Sequence, residues 1–162
     1  MLSLPQRCST AFLYCSRKLG GLGIRSPWDD YMVHSVIGTF ICLQNPENII
    51  RDTSRMSLTI RARKFYRRMV VSPQEAIDYL NKGSKATGTE TWWLKPKLAI
   101  YRLKNRHNIV ITFKLDLAGD ISLHIASNTN SIYECRAEIA FKDRHKIAPY
   151  LHNRIGESWA LK

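Results

Sequence analysis

The feature that most constrains the fold is a cluster of three glycines within positions 20 to 23. Glycine adopts a positive φ without steric penalty and lets the backbone approach another chain closely, but ordering it costs more conformational entropy than ordering other residues. Ser26 and Pro27 follow and suit the N-cap and the first helical position, and Asp29 completes a capping box. The sequence therefore predicts a tight turn that leads directly into a helix.

Apolar residues after this turn recur with the spacing of a core-facing helix. The pattern runs from residue 27 to about residue 43 and consists of Val33, Val36, Ile37, Phe40 and Ile41. Asn45 and Pro46 then provide a cap and a helix start. We expect a short second helix over residues 47 to 52, packed antiparallel to the first because the connection is short.

The segment from Arg55 to Met69 combines one apolar stripe with an otherwise basic surface. The stripe consists of Leu58, Ala62, Phe65 and Met69, and the basic residues are Arg61, Arg63, Lys64, Arg67 and Arg68. No acidic residue lies between Asp52 and Glu75, so ion pairs within the helix cannot neutralise these charges. The pattern predicts a helix that contacts phosphates through Arg61, Lys64, Arg67 and Arg68, and the alternative is a solvated basic face.

A second capping box and a polar segment divide the chain. Ser72 and Glu75 flank Pro73, and Gly83 supplies a stop, which predicts a helix over residues 73 to 82. Residues 83 to 91 are small and polar without periodicity, as in a linker. We therefore place the boundary near residue 87, between a helical unit of residues 1–86 and a second unit of residues 87–162.

The second half mixes helix and strand patterns. Residues 95 to 106 favour a helix with Leu94, Leu98 and Tyr101 on one side, and alternating apolar residues over 109–117 and 121–125 predict a β-hairpin. Residues 128 to 130 predict a turn, residues 132 to 141 fit either strand or helix, and residues 145 to 161 favour a helix that Pro149 and Gly156 interrupt. The predicted class is α+β, a small helical bundle followed by a β-hairpin with flanking helices.

The charge of the chain indicates a polyanionic partner. It carries 25 Lys and Arg against 13 Asp and Glu, a net charge of +12, which favours nucleic acid. An anionic membrane surface is the second candidate, but we expect no membrane partner. No run of 18 apolar residues is present, which excludes a transmembrane span. The four cysteines show no CxxC pair and no zinc spacing with the histidines, so we expect reduced thiols. Trp92 and Trp93 either pack on the core, which we favour, or stack on bases.

No catalytic or metal-binding set is visible. Asp29 and Asp30 resemble the paired aspartates of polymerases, but they lie in the first turn of a capped helix, where negative charge stabilises the helix dipole. Motifs of nucleotide hydrolases, serine hydrolases, zinc proteases and kinases are absent from the sequence. We therefore expect no catalytic residue, no metal ligand, no cofactor and no small-molecule substrate.

The order of motifs at the start of the chain resembles a known family. Leu4-Pro5, the aromatic residues Phe12 and Tyr14, the basic pair Arg17-Lys18, GGLGI and the capped helix follow one another as they do just after the polymerase palm in reverse transcriptases of non-LTR retrotransposons. The elements that insert into ribosomal RNA genes are the most similar. The resemblance covers roughly the first quarter of the chain.

This resemblance implies a thumb, a small helical unit that holds the template and primer duplex. The residues expected to contact nucleic acid, an RNA/DNA hybrid or a duplex, are Arg17, Lys18, Gly20, Gly21, Gly23, Arg61, Lys64, Arg67 and Arg68. The palm, with the aspartates that hold magnesium in the parent RNA-directed DNA polymerase, would lie upstream of Met1. The chain would then be a fragment without enzymatic activity of its own, nuclear or cytoplasmic, and lacking the zinc knuckle and endonuclease.

Two alternatives remain open at the sequence level. No acidic residue precedes Asp29, and the first 28 residues contain arginines and serines, which is also the composition of a mitochondrial transit peptide. The chain would then be a basic structural nucleic-acid-binding protein, imported and cleaved near residue 25. An unfolded remnant without activity is the third hypothesis.

Overall fold

The computed structural model describes residues 9–85, 92–127 and 135–162, and within them it confirms the α+β class. These residues form six α-helices: α1 (Thr10–Tyr14), α2 (Pro27–Leu43), α3 (Asn48–Tyr66), α4 (Pro73–Asn81), α5 (Leu94–His107) and α6 (Ile147–Trp159). They also form three strands: β1 (Ile109–Leu115), β2 (Ile121–Ser127) and β3 (Cys135–Ile139). Short 3₁₀ turns cover Arg17–Leu19 and Phe141–Lys146.

Helix α2 occupies the predicted range but begins differently from the prediction. Ser26 is the N-cap residue by position, yet its side chain makes no capping hydrogen bond. The Asp29 side chain turns into the core instead of closing a capping box, so that prediction is wrong. Val33, Val36 and Phe40 are buried as expected, whereas Ile41 is exposed.

Helix α3 joins two predicted helices into one of 19 residues. Neither proline nor glycine separates residues 52 and 55, so nothing interrupts the helix there. It ends at Tyr66 because Arg67 adopts a left-handed conformation with φ of 54°. Of the predicted apolar stripe, Leu58 and Ala62 are buried, but Phe65 is 53% exposed and Met69, beyond the helix, is 88% exposed.

Helix α4 follows the prediction closely. The Ser72 hydroxyl accepts a hydrogen bond of 3.2 Å from the Glu75 N–H, and Gly83 ends the segment with φ of 65°. The Asn81 side chain then pairs with strand β1, accepting from the Phe113 N–H and donating to the Phe113 carbonyl, each at 2.8 Å. Asn81 thus satisfies backbone groups on the β1 edge in the way a neighbouring strand would.

The predicted hairpin is confirmed and gains a third strand. β1 and β2 pair antiparallel from Ile109 opposite Ser127 to Leu115 opposite Ile121, and β3 extends the sheet beside β2. Residues 135–139 of the ambiguous segment are therefore strand. The predicted turn at residues 128 to 130 lies outside the described residues.

The helices of the second half also correct the sequence patterns. In α5 the buried apolar residues include Ala99, Ile100 and Leu103, whereas the predicted face of Leu94, Leu98 and Tyr101 is only partly buried. The predicted last helix forms. Pro149 lies in its first turn, where backbone N–H groups have no acceptor within the helix, so the missing N–H of proline costs no hydrogen bond.

One hydrophobic core takes residues from both sides of the predicted boundary. Helix α2 packs against α3, α5 and α6, and α4 packs against both α3 and β1. The boundary near residue 87 itself lies outside the described residues. Within the described part of the chain, no helix has the length and apolar character needed to cross a membrane.

Candidate nucleic-acid interface

The exposed face of α3 forms a shallow groove of about 580 Å³ that contains two of the predicted site residues. Arg61 and Lys64 lie at one end, and Asp52 lies at the other. Between them lie the apolar side chains of Met56 and Ile60 and the hydroxyls of Thr53 and Ser57. The face therefore combines positive charge, hydrogen-bonding hydroxyls and apolar surface.

The positive charge at this end of the groove is not balanced within the described part of the chain. Neither Arg61 nor Lys64 forms an ion pair with a described carboxylate; the acid in the groove, Asp52, lies 3.6 Å from the Arg51 Nε. Lys64 is exposed and Arg61 is half-buried. An unbalanced arginine and lysine one helical turn apart can bind neighbouring phosphate oxygens, which is a binding arrangement and not a catalytic one.

Trp93 fixes the position of this face relative to the second half of the chain. Its indole Nε1–H donates to the Ser57 hydroxyl at 2.9 Å, and its side chain is buried. Trp92 is more exposed and packs edge-on against Trp93, with ring centres 4.7 Å apart. Trp93 therefore has the packing role that the sequence favours.

Arg67 and Arg68 lie beyond the end of α3 and away from its regular face. Arg67 is the exposed residue with positive φ that ends the helix. The Arg68 Nη2 lies 2.6 Å from the Glu75 Oε2, and its guanidinium carbon lies 5.1 Å from the centre of the Tyr66 ring. Glu75 lies outside α3 in sequence, but the turn into α4 places its carboxylate next to Arg68. The expectation that no acidic residue compensates the charge of Arg68 is therefore wrong.

Next to this helix end, two lysines and three aromatic rings form a set that the sequence did not predict. We call Phe65, Tyr66, Tyr79, Lys82 and Lys97 the lysine–aromatic cluster. The Lys97 Nζ lies 3.6 Å from the centre of the Tyr79 ring and 5.3 Å from that of Phe65. The Lys82 Nζ lies 4.8 Å from the Tyr66 ring centre and 5.1 Å from that of Phe65.

Burial shifts the acid–base behaviour of this cluster. Lys97 is only 4% exposed, and its burial, together with the charge of Lys82, lowers its pKa to about 8. Burial also raises the pKa of the Tyr79 hydroxyl, and the charge of Arg61 partly opposes that rise. Lys97 is therefore the described lysine whose protonated form an added negative charge would stabilise most.

The glycines of the predicted site serve a contact within the chain itself. A Cβ on Gly21 would lie 2.3 Å from the Cys15 carbonyl oxygen, so only glycine fits there. Gly20 and Gly23 have φ of 89° and 67°, and the Gly23 N–H donates to the Cys15 carbonyl at 2.9 Å. The close approach expected toward nucleic acid is made instead to the segment that follows α1.

Arg17 and Lys18 lie in this folded-back loop and face α6. The Arg17 Nε–H donates to the Leu22 carbonyl at 3.1 Å, and Lys18 is exposed. Arg17 also lines a cavity of about 230 Å³ together with Arg25, His152 and Asn153. These two predicted residues therefore lie on the α6 side of the molecule, whereas Arg61 and Lys64 lie in the α3 groove.

Asp29 is the centre of a buried hydrogen-bond network that sequence reasoning missed. Its Oδ1 accepts from the His107 Nε2 at 2.9 Å, and its Oδ2 accepts from the Trp159 Nε1 at 2.8 Å. The His107 Nδ1 lies 2.9 Å from the Ser158 hydroxyl. No sequence spacing signals this network, because its partners are separated by as many as 130 residues.

The network joins α2, α5 and α6, and its chemistry is that of a structural contact. A serine, a histidine and an aspartate in series also form the nucleophilic site of serine hydrolases. Here the His107 side chain is fully buried, Ser158 is 5% exposed, and an indole binds the second carboxylate oxygen. Burial acts to raise the pKa of Asp29, but the hydrogen bonds from His107 and Trp159 and the charges of His107 and Arg106 hold that pKa below its usual value.

Asp30, the second member of the aspartate pair, makes different contacts. Its carboxylate oxygens lie 3.5 Å from the His34 Nε2 and 3.3 Å from the His152 Nε2. Burial lowers the pKa of His152, with a further contribution from the charge of Arg25 that Asp30 partly opposes. Across the ranges 9–85, 92–127 and 135–162, no group of three or more histidine, cysteine or acidic side chains is arranged to hold a metal ion.

Comparisons with protein-family models, with curated proteins and with solved structures found no significant match to this chain.

Proposed function

We propose that this chain is the thumb and linker part of a non-LTR retrotransposon reverse transcriptase and that it holds a template and primer duplex through phosphate contacts. The observation that carries the proposal is the α3 groove, where Arg61 and Lys64 present charge that no described carboxylate pairs with. The order of motifs from Leu4-Pro5 to GGLGI supports the same family, and the net charge of +12 supports a polyanionic partner. The chain would act in the nucleus or the cytoplasm.

The parent polymerase would use magnesium held by palm aspartates, and Asp29 does not fit that role. Both oxygens of Asp29 are already occupied by His107 and Trp159 in the core. A metal ion would have to displace these two donors. We therefore assign no metal-dependent step to this chain, and its proposed contribution is to bind and position nucleic acid.

The packing of residues 14 to 24 favours this proposal over the mitochondrial alternative. Cys15 is buried, and the Tyr14 ring lies 5.1 Å from the Trp159 ring, centre to centre. The cleavage near residue 25 that the alternative requires would remove both side chains from the core. N-terminal sequencing of the mature protein distinguishes the two hypotheses.

Fluorescence anisotropy with a labelled RNA/DNA hybrid, measured over a series of salt concentrations, tests the proposal. On duplex DNA, measured in parallel, each lost phosphate contact makes the negative slope of log affinity against log salt less steep by about 0.9. Arg61→Glu with Lys64→Glu should therefore make it less steep by about 1.8. Lys114→Glu with Lys142→Glu is the control, because both lysines are exposed elsewhere and the change in net charge is the same. Equal slopes for the two double variants would remove α3 from the interface.

A further inference from the structure

The lysine–aromatic cluster holds two ammonium groups near the same aromatic ring, that of Phe65. Lys82 follows the last residue of α4, and Lys97 lies in the first turn of α5. Both lie within 5.3 Å of the centre of the Phe65 ring, and neither forms an ion pair with a described residue. Glu75, an acid of α4, is already paired with Arg68 at 2.6 Å.

The backbone positions Lys97 in this cluster. Gly83 has a positive φ and lets the chain pass close to α5, where a Cβ would lie 3.3 Å from the Lys97 carbonyl oxygen. The Ser84 N–H then donates to that same carbonyl at 3.1 Å. The turn after α4 therefore holds Lys82 and Lys97 on neighbouring segments.

Aromatic faces stabilise a buried ammonium only in part. The faces of Phe65 and Tyr79 carry negative potential and attract the Lys97 ammonium, but they supply no formal charge. The exposed Lys82 repels Lys97 while remaining accessible to solvent. An anion that enters beside Lys82 would remove this repulsion and supply the missing charge, and a phosphate has the oxygens to accept from two ammonium groups.

We propose that Lys82 and Lys97 together bind one backbone phosphate of the nucleic acid at the junction of α3, α4 and α5. This inference rests on the proposed function and adds a contact that the basic pattern of α3 does not contain. Binding requires Lys97 to be protonated. The pKa of Lys97 is about 8 in the protein without nucleic acid. Binding of the phosphate is therefore accompanied by uptake of a proton at pH values above 8.

Lys82 and Tyr79 are titratable groups that lie next to Lys97. Lys82 faces it from the end of α4, and the Tyr79 ring faces it from within α4. From α3, the uncharged Phe65 ring has its centre 5.3 Å from the Lys97 Nζ, and the charge of Arg61 partly opposes the rise in the pKa of Tyr79. The raised pKa of Tyr79 keeps its hydroxyl protonated in this range, so Lys97 is the group here whose charge changes.

The test measures affinity for the RNA/DNA hybrid at fixed salt from pH 7 to pH 9. We expect the wild type to bind about tenfold more weakly at pH 9 than at pH 7, because one proton with a pKa of about 8 is linked to binding. Lys97→Met keeps the side-chain length without the charge and should bind with little dependence on pH. Lys95→Met, an exposed lysine of the same helix, is the matched control and should keep the wild-type dependence.

Nuclear magnetic resonance of the Lys97 amine gives a second readout. Its pKa should rise when the hybrid is added, and inorganic phosphate should produce the same rise only at much higher concentration. A response to inorganic phosphate without a response to the hybrid would overturn the proposal, as would equal pH dependence in the wild type and Lys97→Met. Binding that persists without any pH dependence overturns this inference alone, whereas a wild type that binds no hybrid overturns the proposed function as well.

Discussion

Removing the Asp29 carboxylate should destabilise the protein more than any surface substitution. Asp29 accepts two hydrogen bonds in the core, from His107 and Trp159. Hydrogen bonds to a charged group contribute about 1.5–3 kcal/mol each, and removing one partner of a buried pair costs about 3–5 kcal/mol. We therefore expect Asp29→Ala to lower the free energy of unfolding by about 3–5 kcal/mol.

Equilibrium urea unfolding, followed by far-UV circular dichroism, measures this loss. Asp29→Asn keeps the volume and one acceptor but turns an amide N–H₂ toward a donor, so its loss should be smaller, about 2–3 kcal/mol. Asp52→Ala is the control, because Asp52 is exposed and its ion pair with Arg51 lies at the surface, so its loss should cost less than about 1 kcal/mol. A loss below about 1 kcal/mol for Asp29→Ala would refute the assignment of the network as a main support of the fold.

The same variant carries a pH signature with a defined sign. The pKa of Asp29 is lowered in the folded protein, so its contribution to stability is complete above the ordinary pKa of an aspartate. The contribution is then lost as the pH falls through the lower folded value. The difference in stability between wild type and Asp29→Ala should therefore shrink only under acidic conditions, and a difference that grew with falling pH would contradict this reasoning.

Four further substitutions test other parts of the fold. Gly21→Ala should destabilise markedly in thermal unfolding, because its Cβ would lie 2.3 Å from a backbone oxygen, whereas Gly38→Ala, with no atom within 4 Å, should stabilise α2 by about 0.5–1 kcal/mol. Asn81→Ala should cost about 1–3 kcal/mol, since it leaves the backbone N–H of Phe113 without its partner, and urea unfolding measures the loss. Stability should rise with pH above about 8 in the wild type relative to Lys97→Met, because the folded pKa of Lys97 lies below its unfolded value, and parallel pH profiles would contradict this.

Local signals in the sequence predicted the elements whose start and end are marked by backbone chemistry. The Ser72 cap and the positive φ of Gly83 bound α4, and period-two alternation predicted β1 and β2. The capping box at Asp29 failed because the same side chain has two buried donors in distant helices, and these are invisible to a pattern of three residues. Tertiary partners decided the conformation of that carboxylate against its local preference.

The candidate site was predictable only where its residues share one helix. Arg61 and Lys64 are three positions apart, so helical spacing alone brings them into one groove. The prediction that the charge of Arg68 is uncompensated was wrong because Glu75, on the next helix, forms an ion pair with it. The partnership of Lys82 and Lys97 required the turn at Gly83, and neither lysine stands out in sequence from the other basic residues of the chain.

The separation of the Asp29 partners has a consequence for synthesis on the ribosome. Asp29 precedes His107 by 78 residues and Trp159 by 130, so α2 emerges long before either donor exists. Contacts of such long range form late and slow the folding of a chain. The carboxylate of Asp29 should therefore lack both donors until α6 has left the exit tunnel. Emergence of α6, rather than completion of the N-terminal half, should set the moment at which the protein acquires resistance to proteases.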